Sequence, residues 1–161
     1  MEGQAKNQPV EAQVRFMSIQ DRELILADIS ELVAKKFDFK SFTQIQMKGQ
    51  HRVIPKAKQF EMIFSIAFYK EATEDDPAKT LLSFTTLTTF DVVNFSEVFL
   101  TEDDIHFDIP NEFLIRIVDI VVSTMRGMIV EKTANSDFRK LYVPLIDPKV
   151  VSEFIFGERE S

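Results

Sequence analysis

The chain has 161 residues, of which 45% are hydrophobic and 28% charged, proportions that are typical of one globular domain. Its net charge of −7 disfavours nucleic acid and anionic membrane surfaces as partners, because both attract clustered Lys and Arg. The complete lack of cysteine excludes disulfides, thiolate metal sites and a cysteine nucleophile, and it favours a cytoplasmic location.

The domain is predicted to span residues 18–156 without a repeat or a low-complexity run. Residues 1–17 are interpreted as a disordered arm that lacks the apolar run of a signal peptide, and residues 157–161 as a polar tail. Two interpretations are open for residues 18–36. Apolar residues at helical spacing behind a potential N-cap, Ser18, favour a helix, whereas a shorter strand would cover Leu24–Ile29.

The middle of the chain is predicted to form antiparallel strands at 42–48, 60–69, 81–95 and 104–109. The second of these is the clearest, because every second residue from Phe60 to Phe68 is large and apolar. In the fourth, Ile105, Phe107 and Ile109 alternate with polar residues. A short helix through Phe156 and an extended segment at Tyr142–Ile146 are expected in the tail region.

The segment Phe113–Val130 is predicted to be a helix that is apolar on most of its circumference. Its polar residues form one narrow stripe: Arg116, Asp119, Ser123 and Arg126. A four-stranded sheet covers only one face of such a helix, so a second copy of the chain is expected on the other face. The residues predicted for that contact are Ile117, Val118, Val121, Val122, Met125 and Met128. Gly127 indicates either a close approach of a neighbouring element or a hinge.

No arrangement of residues typical of catalysis is found. The four glycines are scattered, and His51 and His106 are far apart, each more typical of a surface histidine than of a ligand. The sequence therefore predicts a binding protein that is not an enzyme and needs no cofactor or metal. The alternatives are an oligomeric scaffold of the same fold that binds no client, and an enzyme with an unrecognised carboxylate site.

Two features are candidates for binding an apolar partner. The Phe-rich strands carry more large apolar side chains than one helix should need, and the extended segment beside Pro144 offers several more. The candidate residues are Phe60, Met62, Phe64, Leu82, Phe84, Tyr142, Val143, Leu145 and Ile146.

Several segments in the second half of the chain resemble the SecB family of export chaperones. They are Leu81–Phe84, Thr89–Val92, Ile109–Leu114, Arg126–Met128 and Leu141–Pro148, which follow one another in the family's order. The resemblance implies an α+β fold, in which a four-stranded antiparallel sheet packs against one long apolar helix and a short C-terminal helix. It also implies a holdase that wraps unfolded or extended polypeptides in apolar grooves and assembles as a dimer of dimers.

The sequence departs from the family at the positions that serve the export motor SecA. An acidic position on the outward sheet face and the Cys/His zinc tail have no counterpart here, which makes docking to SecA doubtful. Clients for export and clients such as an antitoxin in a toxin–antitoxin system are therefore both compatible with the resemblance.

Overall fold

The computed structural model describes residues 10–157. They contain a single antiparallel sheet of four strands, in the order β1-β4-β3-β2, and five helices. The strands are β1 (Val14–Leu26), β2 (Thr43–Ile54), β3 (Gln59–Lys70) and β4 (Lys79–Val92). The helices are α1 (Ser30–Ala34), α2 (Phe39–Phe42), α3 (Phe95–Val98), α4 (Asn111–Thr133) and α5 (Pro148–Phe156).

The core lies between the sheet and α4. Alternate residues of β3 from Phe60 to Phe68 are at most 1% exposed, whereas Ile63 on the opposite face of the same strand is 41% exposed. The ring of Phe113 at the start of α4 packs edge-on against that of Phe60, with 4.9 Å between their centroids. This period of two confirms the predicted strand at 60–69 and gives the sheet one buried face and one open face.

Helix α4 is covered by its own chain from more than one direction. The sheet lies beneath it, α5 packs beside it, and Arg126 hydrogen-bonds to the extended segment that follows α4. Arg116, Asp119 and Ser123 are exposed as predicted, but Arg126 is half-buried. The C-terminal segment of the same chain thus covers a side of α4 on which a second copy was expected, so the apolar character of the helix does not by itself require a partner.

Gly127 takes the place predicted for Arg126 on the exposed stripe of α4. A Cβ atom built at this glycine meets no heavy atom within 4 Å, and the helix continues without a break to Thr133. The close approach predicted from the sequence is thus absent within the described chain, and the helix shows no hinge at this position.

The helix predicted over residues 18–36 was wrong. Residues 14–26 form β1, and only Ser30–Ala34 are helical, so the shorter alternative, a strand beginning at Leu24, was nearer to the structure. Two register shifts, at Phe16/Ser18 and Asp21/Glu23, interrupt the alternation of β1, and the helical spacing was continued by Ile29, Leu32 and Val33, which lie after the strand, in and beside α1. The same strand includes residues 14–17 of the predicted disordered arm, while residues 1–9 and 158–161 lie outside the described part.

The strand predicted at 104–109 was also wrong. This segment is a loop with one isolated bridge, between Leu100 and Asp108, and Ile105 is 74% exposed. The loop is closed by side chains: the carboxylate of Asp103 accepts hydrogen bonds from the amides of Ile105 and His106. The sheet still has four strands, because β1 forms an edge strand and replaces the one predicted at 104–109.

The remaining elements confirm the predictions with changed bounds. β2 extends to Ile54, β4 ends at Val92 before the short helix α3, and α4 and α5 lie where a long and a short helix were expected. None of the helices among residues 10–157 has the length and apolar character needed to span a membrane.

Candidate functional site

Two neighbouring cavities form an apolar groove along β2, at one edge of the sheet. Their volumes are about 180 and 210 Å³, and both are bounded by Ile45 and Pro144. We call them together the β2-edge groove. The first is also lined by Phe39, Lys40, Thr43, Phe68, Lys140, Leu141 and Tyr142, and the second by Met47, Ile146, Val150, Val151 and Phe154.

The inner wall of the groove is the core-facing side of β2. Thr43, Ile45 and Met47 alternate along it and pair with the core-facing residues of β3, so their side chains point toward the helix layer. They span about 13 Å at about 3.3 Å per residue. β2 pairs with β3 alone among the described strands, which leaves its other edge without a neighbouring strand.

The outer wall is the extended segment 141–147, which α4 holds in place. The guanidinium of Arg126 donates from Nε to the carbonyl of Val143 and from Nη2 to that of Pro144, both at 3.1 Å. Leu141 and Val143 are buried. Tyr142, which lies between them, and Leu145 point outward, and Leu145 is 88% exposed. The segment is therefore anchored by alternate residues while the others remain on the surface.

Helix α5 closes the far end of the groove. The carboxylate of Asp147 accepts a hydrogen bond from the Lys149 amide and caps the helix, a common N-terminal signal. The lack of a side chain at Gly49 lets α5 approach β2, since a Cβ there would lie 3.2 Å from Ile155. Val151 is buried by this packing, whereas Phe154 on another side of the helix is 78% exposed.

The charge of the groove is positive at one end only. Lys40 and Lys140 are the two charged residues that line it, and both belong to the first cavity. The Lys140 ammonium lies 5.7 Å from the centroid of the Phe39 ring. The nearby Asp38 caps α2, and hydrogen bonds from Ser41, its hydroxyl foremost and its amide next, hold the pKa of that carboxyl below its ordinary value.

The structure divides the predicted client-binding residues into two groups. Tyr142 and Ile146 line the groove, whereas Leu145 is exposed but lines neither cavity, and Val143 is buried. The five strand residues are all 0% exposed beneath α4, so they fill the core and cannot contact a client in this fold: Phe60, Met62, Phe64, Leu82 and Phe84. The surplus of Phe in the strands is a property of the core.

The residues predicted for contact between copies are also mostly interior. Ile117, Val118, Val121 and Met125 are 0% exposed and Val122 is 5% exposed, while Met128 is half-buried. Their burial within one chain leaves them no surface for a partner. Exposed apolar residues lie instead on β1, at the opposite sheet edge from the groove: Phe16, Met17, Leu24, Ile25 and Leu26 are between 40% and 52% exposed.

Several groove residues were missed by sequence reasoning. Ile45 and Met47 lie in the strand predicted at 42–48, but its weak alternation gave no sign of a groove, and the short helix α2 that carries Phe39 was not predicted. Phe154 and Val150 had a usable signal. α5 is apolar on two sides, with Val151 and Ile155 on one and Val150 and Phe154 on another, which is more than packing on one surface requires.

The two histidines are not part of the groove. His51 is half-buried, and its ring lies 5.4 Å from that of Phe60 and 5.2 Å from that of Phe156. His106 is exposed, with Nδ1 2.6 Å from the carboxylate of Asp103. Backbone and side-chain hydrogen bonds from His106, followed by the Ile105 amide, lower the pKa of Asp103. Residues 10–157 contain no group of three or more His, Asp or Glu arranged to hold a metal ion.

The sheet order, the single long helix across one face and the short C-terminal helix define an α+β fold of the SecB type. The structure is similar to that of the Mycobacterium tuberculosis SecB-like chaperone Rv1957 in complex with a ChAD peptide from the Rv1956 HigA1 antitoxin, with a TM-score of 0.50. The two chains share 11% sequence identity over 83% of this chain and 90% of the other, a likeness that shows the fold.

A protein of unknown function from Streptococcus agalactiae gives a TM-score of 0.41 at 11% identity, over 85% of this chain and 99% of that one. No protein-family model matches the sequence, and no curated protein matches it either.

Proposed function

We propose that this protein is a non-catalytic chaperone of the holdase type, which binds extended apolar segments of other polypeptides in the β2-edge groove. One observation carries the proposal. An apolar groove lies open on the surface beside the unpaired edge of β2, and the residues that line it include Val150, 55% exposed, and Phe154, 78% exposed. Contiguous exposed apolar residues of this kind mark interaction sites.

The dimensions of the groove favour a polypeptide over a small molecule. Its two cavities of about 180 and 210 Å³ are each smaller than the roughly 300–1,000 Å³ of a typical small-molecule site. They lie in a row along a strand, which suits successive side chains of an extended chain. The free edge of β2 supplies backbone groups that such a chain can pair with, as in recognition by strand addition.

The walls of the groove suit many different sequences. Met47 on the inner wall is flexible and polarizable, and the outer wall at 144–146 belongs to an irregular segment without strand pairing of its own. Binding through a few apolar contacts is weak at any one site. Several linked sites raise the overall affinity strongly, so an oligomer would hold an unfolded client better than one chain.

Self-association is proposed to involve β1. This strand of 13 residues is the other edge of the sheet, and its exposed apolar residues have no covering element among the described residues. A long edge of this kind readily pairs with a second chain. Two copies joined in this way would present two grooves at the far ends of one larger sheet.

The fold supports this proposal without deciding the client. The similar chaperone structure holds an antitoxin peptide, so an antitoxin segment is one client class for this chain, and an unfolded export substrate is another. For either client class, a cytoplasmic location is proposed. Docking to SecA is not part of the proposal.

An aggregation assay tests the groove. The wild-type protein is expected to suppress the aggregation of a chemically unfolded model client at stoichiometric amounts. The double variant Val150→Ser, Phe154→Ser removes two exposed residues that line the groove, so it should remain folded and lose most of the suppression. A matched control, Leu100→Ser with Ile105→Ser, changes two equally exposed residues of the 100–108 loop and should behave as wild type.

The outcomes separate the proposal from the alternative of a scaffold that binds no client. No suppression by the wild-type protein would favour the scaffold. Equal suppression by both double variants would mean that the client binds elsewhere. Loss in both variants would indicate a diffuse apolar surface rather than the groove.

A further inference from the structure

The β2-edge groove has one charged end, and that end is positive. Of the residues that line its two cavities, Lys40 and Lys140 carry charge, and no Asp or Glu takes part. This is unexpected in a chain whose net charge is −7. The cavity at the start of α4 follows the general trend, since it is lined by Glu11, Glu97, Asp108 and Glu112 with a single arginine.

Neither lysine forms a salt bridge within the described part of the chain. No carboxylate among residues 10–157 forms an ion pair with the ammonium group of Lys40 or Lys140. The nearest candidate by sequence, Asp38, directs its Oδ1 to the backbone amides of Lys40 and Ser41. Lys140 instead lies over the face of Phe39, a contact that keeps its charge at the cavity wall.

We infer that the preferred clients carry Asp or Glu side chains next to their apolar run, positioned to meet Lys40 and Lys140 at one end of the groove. The inference rests on the proposed function and adds the chemistry of the ligand. The apolar cavities would take the hydrophobic side chains, and the two ammonium groups would favour a carboxylate through charge complementarity. Such complementarity contributes specificity more than raw affinity.

Peptide binding measured by competition fluorescence anisotropy, with the full chain, tests this inference. The competitors are peptides of nine residues, acetylated and amidated so that no terminal charge contributes, with one shared apolar run. They carry two Asp at the amino end, two Asp at the carboxyl end, two Asn, or two Lys. Both positions of Asp are included because the groove sets no direction for the client.

At low salt, the better of the two Asp peptides is expected to bind about fivefold more tightly than the Asn peptide, and the Lys peptide more weakly than either. The preference should fall below about twofold at high salt, because ions screen exposed charges. The variant Lys40→Gln, Lys140→Gln should bind the Asp and Asn peptides equally. The control Lys48→Gln, Lys56→Gln changes the net charge by the same amount outside the groove and should keep the preference.

The results distinguish a failure of this inference from a failure of the proposed function. If the Asn peptide binds and neither Asp peptide exceeds it, the inference is wrong while the groove proposal stands. A preference that survives Lys40→Gln, Lys140→Gln, or that disappears equally in the control, would also overturn it. If none of the peptides binds, the proposed function fails and the inference fails with it.

Discussion

The two edges of the sheet differ in how the chain covers them. At the β2 edge, the extended segment 141–147 and α5 lie on the helix side of the sheet, held by Arg126 and by close packing at Gly49. At the β1 edge, no described element covers the strand, and residues such as Met17 and Ile25 are about half exposed. The chain itself therefore covers one edge of the sheet, whereas apolar side chains at the other edge remain exposed.

The geometry of the layers explains the difference. Neighbouring strands lie about 4.8 Å apart, so the outer strands of a four-stranded sheet are about 14 Å apart, whereas a helix with its side chains is about 10 Å wide. One helix cannot cover four strands. The C-terminal segment extends the cover of α4 over β2 and creates a groove there, which suits a transient client. The β1 edge keeps two exposed apolar clusters, at residues 16–17 and 24–26, which suit a second copy.

The largest effect is expected in the helix that both edges share. Val121→Asp places a carboxylate where the side chain is 0% exposed, under the sheet and the C-terminal segment. We expect a loss of about 4 kcal/mol or more in the free energy of unfolding, enough to unfold most of the protein. Circular dichroism during urea titration measures it. Ser123→Asp, on the exposed stripe of the same helix, should change the midpoint little.

This prediction separates burial within one chain from burial between copies. If Val121→Asp remains folded and only lowers the native mass, α4 is covered by a partner and the sequence-based expectation was right after all. A folded variant of unchanged mass would contradict the burial of Val121 altogether.

A smaller effect is expected from the side chain that anchors the outer wall of the groove. Arg126→Met keeps an unbranched apolar stem but removes the hydrogen bonds to the carbonyls of Val143 and Pro144. We expect a loss of about 1–2 kcal/mol, since hydrogen bonds from a charged donor are worth about 1.5–3 kcal/mol and this site is half-buried. Hydrogen exchange should accelerate in residues 141–147 and leave β1 unchanged. Equal acceleration at both edges would contradict a local role.

The comparison also shows what the sequence could and could not predict. β3, α4 and α5 were predictable because each follows one period over many residues with a clear start or end. β1 was not, since two bulges interrupt its alternation and the apolar residues of the following helix α1 continue a helical spacing. For the groove, the extended segment at 142–146 was predicted, but the full burial of the five candidate residues on the strands was not. Which of several apolar faces is buried depends on where the C-terminal segment packs, and that is a long-range contact.

A stabilising change of modest size is expected at Gly127. Gly127→Ala should raise the free energy of unfolding by about 0.5–1 kcal/mol, because alanine favours the helix and a Cβ here meets no atom within 4 Å. Thermal unfolding at low protein concentration measures the effect on the single chain. The same variant at high concentration is informative: if stability falls there, a second copy approaches this face of α4 closely, and β1 is not the surface through which copies associate.

The smallest effect on the fold, and the most direct test of the comparison, is expected at the bare edge. Met17→Lys with Ile25→Lys changes two half-exposed residues of β1, so the free energy of unfolding should shift by no more than about 0.5 kcal/mol. Charged residues on an edge strand oppose pairing with another strand. If copies associate along β1, this variant should therefore lower the native mass measured by light scattering to that of one chain.

Two controls bear on the interpretation. Ile63→Lys places one lysine on the open face, two strands in from β1, and should leave the mass unchanged if association is confined to the edge. Val150→Ser with Phe154→Ser should likewise leave the mass unchanged, because those residues line the groove. A reversed pattern, in which the groove variant dissociates the oligomer and the β1 variant abolishes client binding, would exchange the roles assigned to the two edges. Because β1 offers an edge strand of 13 residues with exposed apolar side chains and the groove offers two cavities for single side chains, we expect copies to associate at β1 and clients to bind at β2.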